Sequence, residues 1–202
     1  MKHIFRFCVV LVMVSFSLSA HAFTVSYDQT TTGIKGAAGQ ETTIKIKDNK
    51  MWMKVSTPQG ELITIIDGTA AYQYFPSQNK AYKMMTKGPT NIRNLSDYRG
   101  YLQTLNARIA SSESVGDYDC DVYEFTDPGT NARARAWVWR AKNFPVKYEL
   151  DLAGGKVTTM MRNVKVNAKI ADSEFTVPNG VEIVEMQRAK SQDKKKANGV
   201  KK

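Results

Sequence analysis

Three carboxylates in alternation are the first residues of this 202-residue chain whose spacing could do chemistry: Asp117, Asp119 and Asp121. Side chains two apart share one face of a strand, and three acids on one face could bind a calcium ion. Calcium sites usually take oxygen ligands from a looped backbone, which a straight strand does not supply. A hairpin pairing would set the same acids beside Arg133, Arg135, Trp137 and Trp139, and the alternative is then a charge-compensated outer face. On the opposite face, Cys120 and Val122 would meet Ala132, Ala134, Ala136 and Val138. In that small apolar setting Cys120 reads as a buried, inert thiol rather than a nucleophile, with an intermolecular disulfide as its other use. A glycosidase-type carboxylate pair could be drawn from acids anywhere in the chain, and no spacing marks one pair. The sequence has no Gly-rich phosphate loop after a strand, no G-x-S-x-G and no C-x-x-C.

The first 22 residues narrow the chemistry further. Lys2 and Arg6 make a positive start, Phe7 to Phe16 is almost wholly apolar, and Ser19-Ala20-His21-Ala22 supplies small residues two apart. This is the pattern of a secretory signal cleaved after Ala22, leaving Phe23 as the new N-terminus. The apolar run falls short of the roughly 20 residues a membrane span needs. Both histidines, His3 and His21, lie in this segment, as does Cys8, so the mature protein has no histidine and one thiol. Ser/His and Cys/His catalysis, His-ligated metals and an intramolecular disulfide are thereby excluded for it. No cofactor and no metal is expected.

Charge is distributed unevenly. The net charge of +10 is concentrated at the two ends, and residues 23–187 hold 20 basic and 18 acidic side chains. A nucleic-acid-binding protein spreads Lys and Arg over its folded surface, so no nucleic-acid partner is expected. Residues 188–202 are polar and Lys-rich and read as a disordered tail, either solubilising or a weak tether to anionic lipid headgroups. The organisation is therefore a signal peptide (1–22), a single domain (23–187) and a basic tail (188–202).

The elements that must position any site are mostly strands. Thr43 to Lys47 and Lys50 to Val55 alternate apolar with basic residues across the tight-turn pair Asp48-Asn49. Gly60 to Ile66, Tyr72 to Phe75 and Lys80 to Met85 continue an antiparallel meander. Lys87-Gly88-Pro89-Thr90 breaks the pattern. Ile92, Leu95, Tyr98, Leu102, Leu105 and Ile109 then follow at spacings of three and four, which predicts one helix over 91–111. Strands resume at Tyr118 to Thr126, Ala132 to Ala141, Pro145 to Leu152 and Lys156 to Val166. Ala171 to Phe175 reads as a turn or helical cap and Val181 to Val184 as a last edge strand. The fold class is mainly β (α+β): a curved antiparallel sheet forming an unclosed barrel, with one main helix as lid or plug.

Methionine usage is the chain's strongest compositional hint. Met51, Met53, Met84, Met85, Met160 and Met161 fall in predicted strands, and methionine suits surfaces that adapt to varied apolar partners; an ordinary core that uses Met is the alternative. If the sheet encloses a cavity, the inward parity of the clearest strands selects its lining as Ile44, Ile46, Met51, Met53, Val55, Tyr148 and Leu150, with Leu102 and Leu105 from the helix. A bulge in any strand would invert its set.

Several of these features together resemble the periplasmic outer-membrane lipoprotein carriers and their relatives (the LolA/LolB-like fold). They are the strand–turn–strand of Ile44 to Trp52, the Asp67-Gly68 followed by Ala71-Tyr72-Gln73-Tyr74-Phe75-Pro76, the mid-chain helix, and the ending Asp172-Ser173-Glu174-Phe175-Thr176-Val177-Pro178-Asn179-Gly180-Val181. The resemblance spans about 40–187. It implies an open barrel around an apolar cavity lidded by helices, which in the carriers holds the acyl chains of a lipoprotein. Two features differ. The carriers begin with an amphipathic helix, whereas Phe23 to Tyr27 reads as a strand, and Lys47 stands where the carriers have an arginine that helps hold the lid shut.

The reading that follows is a periplasmic, non-enzymatic protein that binds or carries an apolar ligand, a lipid or an acylated protein, and meets an inner- or outer-membrane protein. The second reading is a periplasmic sensor or interaction module that binds a protein partner through the same sheet. The third is a carboxylate hydrolase, which requires two acids converging in a cleft.

Overall fold

The computed structural model describes residues 23–33, 39–68, 70–86 and 92–186. The expected signal peptide, the break at 87–90 and the basic tail at 188–202 lie outside the described residues.

Twelve strands form one sheet. β1 (Thr24–Thr32), β2 (Gln40–Lys47), β3 (Lys50–Thr57), β4 (Gly60–Asp67), β5 (Ala70–Phe75) and β6 (Lys80–Met85) run as an antiparallel meander. Two short helices follow, α1 (Ile92–Ser96) and α2 (Tyr98–Thr104). A second meander comprises β7 (Arg108–Val115), β8 (Tyr118–Thr126), β9 (Arg133–Trp139), β10 (Phe144–Leu152) and β11 (Gly155–Val166). β11 pairs antiparallel with β1 and welds the two meanders together. A short β12 (Glu182–Glu185) adds in parallel to β6, giving the order β12-β6-β5-β4-β3-β2-β1-β11-β10-β9-β8-β7. The sheet is not closed. The fold is thus the mainly β open barrel that the alternating pattern predicts.

The turns follow from residue chemistry. Lys47 pairs with Lys50 across Asp48-Asn49, with Asp48 at φ 53°, a conformation Asp and Asn tolerate better than other side chains. Gly33, just past β1, has φ +89° and lies so close to β11 that a Cβ there would sit 2.0 Å from the Lys156 carbonyl oxygen. Only glycine permits that approach.

The single helix predicted over 91–111 is corrected in two respects. Asp97 breaks it: its Oδ1 accepts from the Gly100 backbone N–H at 3.1 Å and caps α2. Gly100 is therefore part of the cap, because a Cβ there would lie 2.1 Å from Asp97 Oδ2. At the other end Asn106 takes φ 54° and the Ala107 N–H returns to the Leu102 carbonyl at 3.1 Å, closing the helix. Ile109, in phase with the helix by spacing, stands instead on β7 and is 61% exposed.

The core has three parts. Val25, Tyr27, Ile44 and Ile46 join Phe144, Val146 and Val164 in the first, which also holds Cys120, Val122 and Trp137. In the second, Tyr98 and Leu102 of α2 pack on Tyr123, Phe125, Ala134, Ala136 and Val138 of β8 and β9. In the third, Ile65 of β4 meets Ile170 and Phe175 of the segment after β11. Full burial of a side chain such as Leu102 contributes about 1.5–3 kcal/mol, which is what holds α2, only seven residues long, in place.

Candidate functional site

The register of β2 to β6 builds a continuous apolar face. Ile44 stands opposite Met53 and Ile46 opposite Met51. Met51 in turn faces Ile66, and Val55 faces Leu62. Ile66 pairs with Ala71, and Ala71 with Met84. Across β3, β4 and β5 the polar members of this face are Thr57, Thr64 and Gln73, and it carries no charged side chain. Depth changes along it. Ile44 and Ile46 are buried, whereas Met51, Met53, Val55, Leu62, Ile66 and Met84 are half-buried. The face therefore runs from a close-packed aliphatic end into an end made of flexible side chains that still meet water.

Four of the nine residues predicted to line a cavity group with the second core cluster rather than with the Met51–Met53 stretch. Leu102 is buried in the second core cluster, and Leu105, Tyr148 and Leu150 pack against it. Tyr148 is held in place: its hydroxyl donates to Asp127 Oδ2 at 2.9 Å, and burial, then this bond, raises its pKa far above the ordinary range. Of the other five, Ile44 and Ile46 belong to the first cluster and Met51 and Met53 pack against it, while Val55 continues the face outward. Leu95 of α1 touches both clusters, so it stands where the two sets meet.

The helices are pinned by polar contacts at one end. The Arg99 N–H donates to Asn143 Oδ1 at 2.9 Å, and Asn143 Nδ2 donates to the capping Asp97 at 3.1 Å. Arg99 also pairs with Asp121 at 3.3 Å.

The carboxylate trio does not survive in the fold. Asp117 sits in the two-residue turn between β7 and β8. Asp119 accepts from Ser114, and Asp121 is paired with Arg99 and Arg140. The expected β8–β9 pairing is also off by one: Cys120 faces Trp139, Val122 faces Trp137 and Glu124 faces Arg135, while Asp121 faces Val138. The loop after Thr126 explains the difference. Asn131 adopts φ 55° and its N–H bonds to the Asp127 carbonyl, so Thr126 pairs with Arg133. Cys120 is fully buried, and burial pushes its thiol up to about 11, so it is protonated and unreactive at neutral pH. Among the described residues no group of three His, Cys, Asp or Glu side chains is arranged to hold a metal.

The opposite face of β3 to β5 holds a feature that the parity argument passed over. Trp52, Ile63, Ile65 and Tyr74 line a cavity of about 220 Å³, whose other wall is Ser173, Glu174, Thr176 and Pro178. Residues 168–178 cross this face as a strap. Lys45 pairs with Glu174 and lies 4.7 Å over the Trp52 ring. Lys47 reaches Asp172 at 3.3 Å and the Ile170 carbonyl at 3.3 Å, and Lys50 reaches Asp172 at 3.6 Å. Lys47 thus fastens the strap. The signal for a covered second face was the run Leu62-Ile63-Thr64-Ile65-Ile66, apolar at both parities, which marks a strand buried on two sides.

No protein-family model and no curated protein matches the chain. Solved structures do. An uncharacterized conserved protein from Thermus thermophilus superposes with a TM-score of 0.57 at 9% identity, over 83% of this chain and 92% of that one. LprF from Mycobacterium bovis gives 0.52 at 11% identity, over 79% and 90%. Lipoprotein LppX from Mycobacterium tuberculosis gives 0.49 at 14% identity, over 73% and 88%. At such identities the likeness is one of fold alone, that of the unclosed sheet described above.

Proposed function

We propose that this protein binds or carries an apolar ligand, a lipid or the acyl chain of an acylated protein, in the periplasm, without catalysis. The observation that carries the reading is the uncharged face of Met51, Met53, Val55, Leu62 and Ile66, half-buried and continuous with the aliphatic core. An acyl chain needs a dry, deformable surface, and methionine side chains adapt to it better than branched ones. Each methylene laid on that face and removed from water contributes about 0.8 kcal/mol. Leu95 stands between this face and the side chains Leu102, Leu105, Tyr148 and Leu150. Swinging α1 outward at Leu95 joins the two sets into one lining, and the helices act as the lid. The amino-terminal segment directs export and is removed after Ala22, and the basic tail makes a weak contact with anionic membrane.

The second reading, a module that binds a protein partner through the same sheet, is favoured by one feature. Met85, Ile183 and Met186 are 62%, 49% and 54% exposed and lie along or just past the β6–β12 pair at the end of the sheet.

Native mass spectrometry of protein purified from its own periplasm separates the two. A co-purified lipid supports the first reading. A bare protein mass, together with a protein captured there by cross-linking, overturns it in favour of the second.

A further inference from the structure

We infer that the cavity beneath the 168–178 strap is a second, independent binding site, and that its ligand is a small neutral molecule of one aromatic ring bearing a hydroxyl group. Four observations select that class. First, size: an apolar cavity of about 150 Å³ accepts benzene, and drug-sized ligands need about 300 Å³ or more. About 220 Å³, open to solvent on one side, fits one ring with a short substituent that reaches toward the opening. Second, shape and polarity: Trp52 and Tyr74 on the sheet and Pro178 on the strap offer flat surfaces, with Ile63 and Ile65 between them. Third, charge: Glu174 is the one charged residue of the lining, and it is paired with Lys45. The two charges neutralise each other, so the lining has no net charge to select an ion and favours a neutral ligand. Fourth, hydrogen bonding: Ser173 and Tyr74 bring hydroxyl groups to the lining, and a hydroxyl both donates and accepts, so either can exchange a bond with a ligand hydroxyl.

The site does not depend on the acyl-chain reading. It uses the opposite parity of β3 and β4, since Trp52 and Ile65 pair with each other, and so do Met51 and Ile66. The strap over it is tied down by Lys45, Lys47 and Lys50. A ligand seated under the strap adds contacts to both walls and strengthens that attachment.

Fluorine NMR tests the inference on the full chain labelled with 5-fluorotryptophan, using benzyl alcohol as the probe. The chain has three tryptophans, and Trp52→Phe assigns the resonance of Trp52. The expected result is a saturable shift of the Trp52 resonance alone, with Trp137 and Trp139 unmoved. Ser173→Phe fills the cavity from an exposed strap position and lowers the affinity at least tenfold, while its thermal unfolding reports that the fold is intact. No saturable shift at Trp52 up to the solubility limit of the probe overturns the inference. So does a folded Ser173→Phe variant that titrates like the parent protein, or a shift of all three resonances in parallel.

Discussion

Met53→Ala and Ile46→Ala should separate binding from stability, although both residues stand on one face of adjacent strands. Ile46 is 1% exposed and lies inside the first core cluster, while Met53, one strand further out, is half-buried and packs against the edge of that cluster. Truncating Ile46 removes buried methylenes and leaves a cavity, which costs about 2–5 kcal/mol of stability. It removes little that a ligand would touch. Truncating Met53 removes side chain that an acyl chain would cover, worth about two methylenes of contact. At about 0.8 kcal/mol each the loss is about 1.6 kcal/mol, or about 15-fold in dissociation constant. Displacement of a fluorescent polyene fatty acid measures affinity, and urea unfolding measures stability in the same preparations. The expected pattern is crossed, with Ile46→Ala unstable and Met53→Ala weak in binding. Two results refute the reasoning. One is unchanged affinity in Met53→Ala; the other is loss of affinity in both variants in proportion to their loss of stability, which would make binding a readout of folding alone.

Two further expectations rest on polar geometry. Glu149 is 8% exposed and accepts from Arg135, Lys147 and Lys156 at 2.8–3.1 Å; burial works to raise its carboxyl, but these three bonds outweigh it and hold the group at about 2 against an ordinary 4.5. A depressed carboxyl contributes stability that is complete above about pH 4.5 and lost as the pH falls to about 2, here worth about 3 kcal/mol; urea midpoints across that range should fall steeply in the parent protein and much less in Glu149→Gln, and equal slopes would count against the pairing. Gly100→Ala would ordinarily stabilise a helix by about 1 kcal/mol, but here the new Cβ meets the Asp97 carboxylate and displaces a cap worth about 1 kcal/mol, along with its bond from Asn143; the thermal midpoint should stay level or drop, and a clear rise would show that the cap is dispensable.

How much of this was readable depends on whether a signal is local. The two-residue turn at Asp48-Asn49 and the alternation of β2, β3 and β10 depend on neighbouring residues, and strand positions followed from them. The helix was misjudged because spacing alone does not register a capping aspartate in mid-run or a left-handed asparagine at its end. Asp97 and Asn106 divide what the period from Ile92 to Ile109 joins. The β8–β9 register was misjudged because one left-handed residue, Asn131, changes the loop count, and a shift of one residue reverses which side chains are neighbours. The parallel pairing of β12 with β6 had no local signal, since Lys80–Glu182 and Lys83–Glu185 meet across about a hundred residues. Within the candidate site, Ile44 to Met53 follow from alternation, but the grouping of Tyr148 and Leu150 with α2 depends on how the sheet curves.

The two faces of β3 and β4 also bear on which part of the molecule would move to admit the proposed ligand. On one side Trp52 and Ile65 are covered by the strap, with Phe175 beneath it and three lysines fastening it. Bending these strands to widen the other side would break those contacts. Burial of Phe175 alone is worth about 1.5–3 kcal/mol, before any ion pair is counted. On the other side, α1 and α2 are short, and one end of the pair hangs on the Asp97–Asn143–Arg99 contacts. A sheet braced from behind, and an α1 of five residues whose Leu95 is only half-buried, make α1 cheaper to displace than α2, which buried Tyr98 and Leu102 anchor, so under the proposed function ligand entry on the Met51–Met53 face should proceed by lifting Leu95 rather than by spreading the strands.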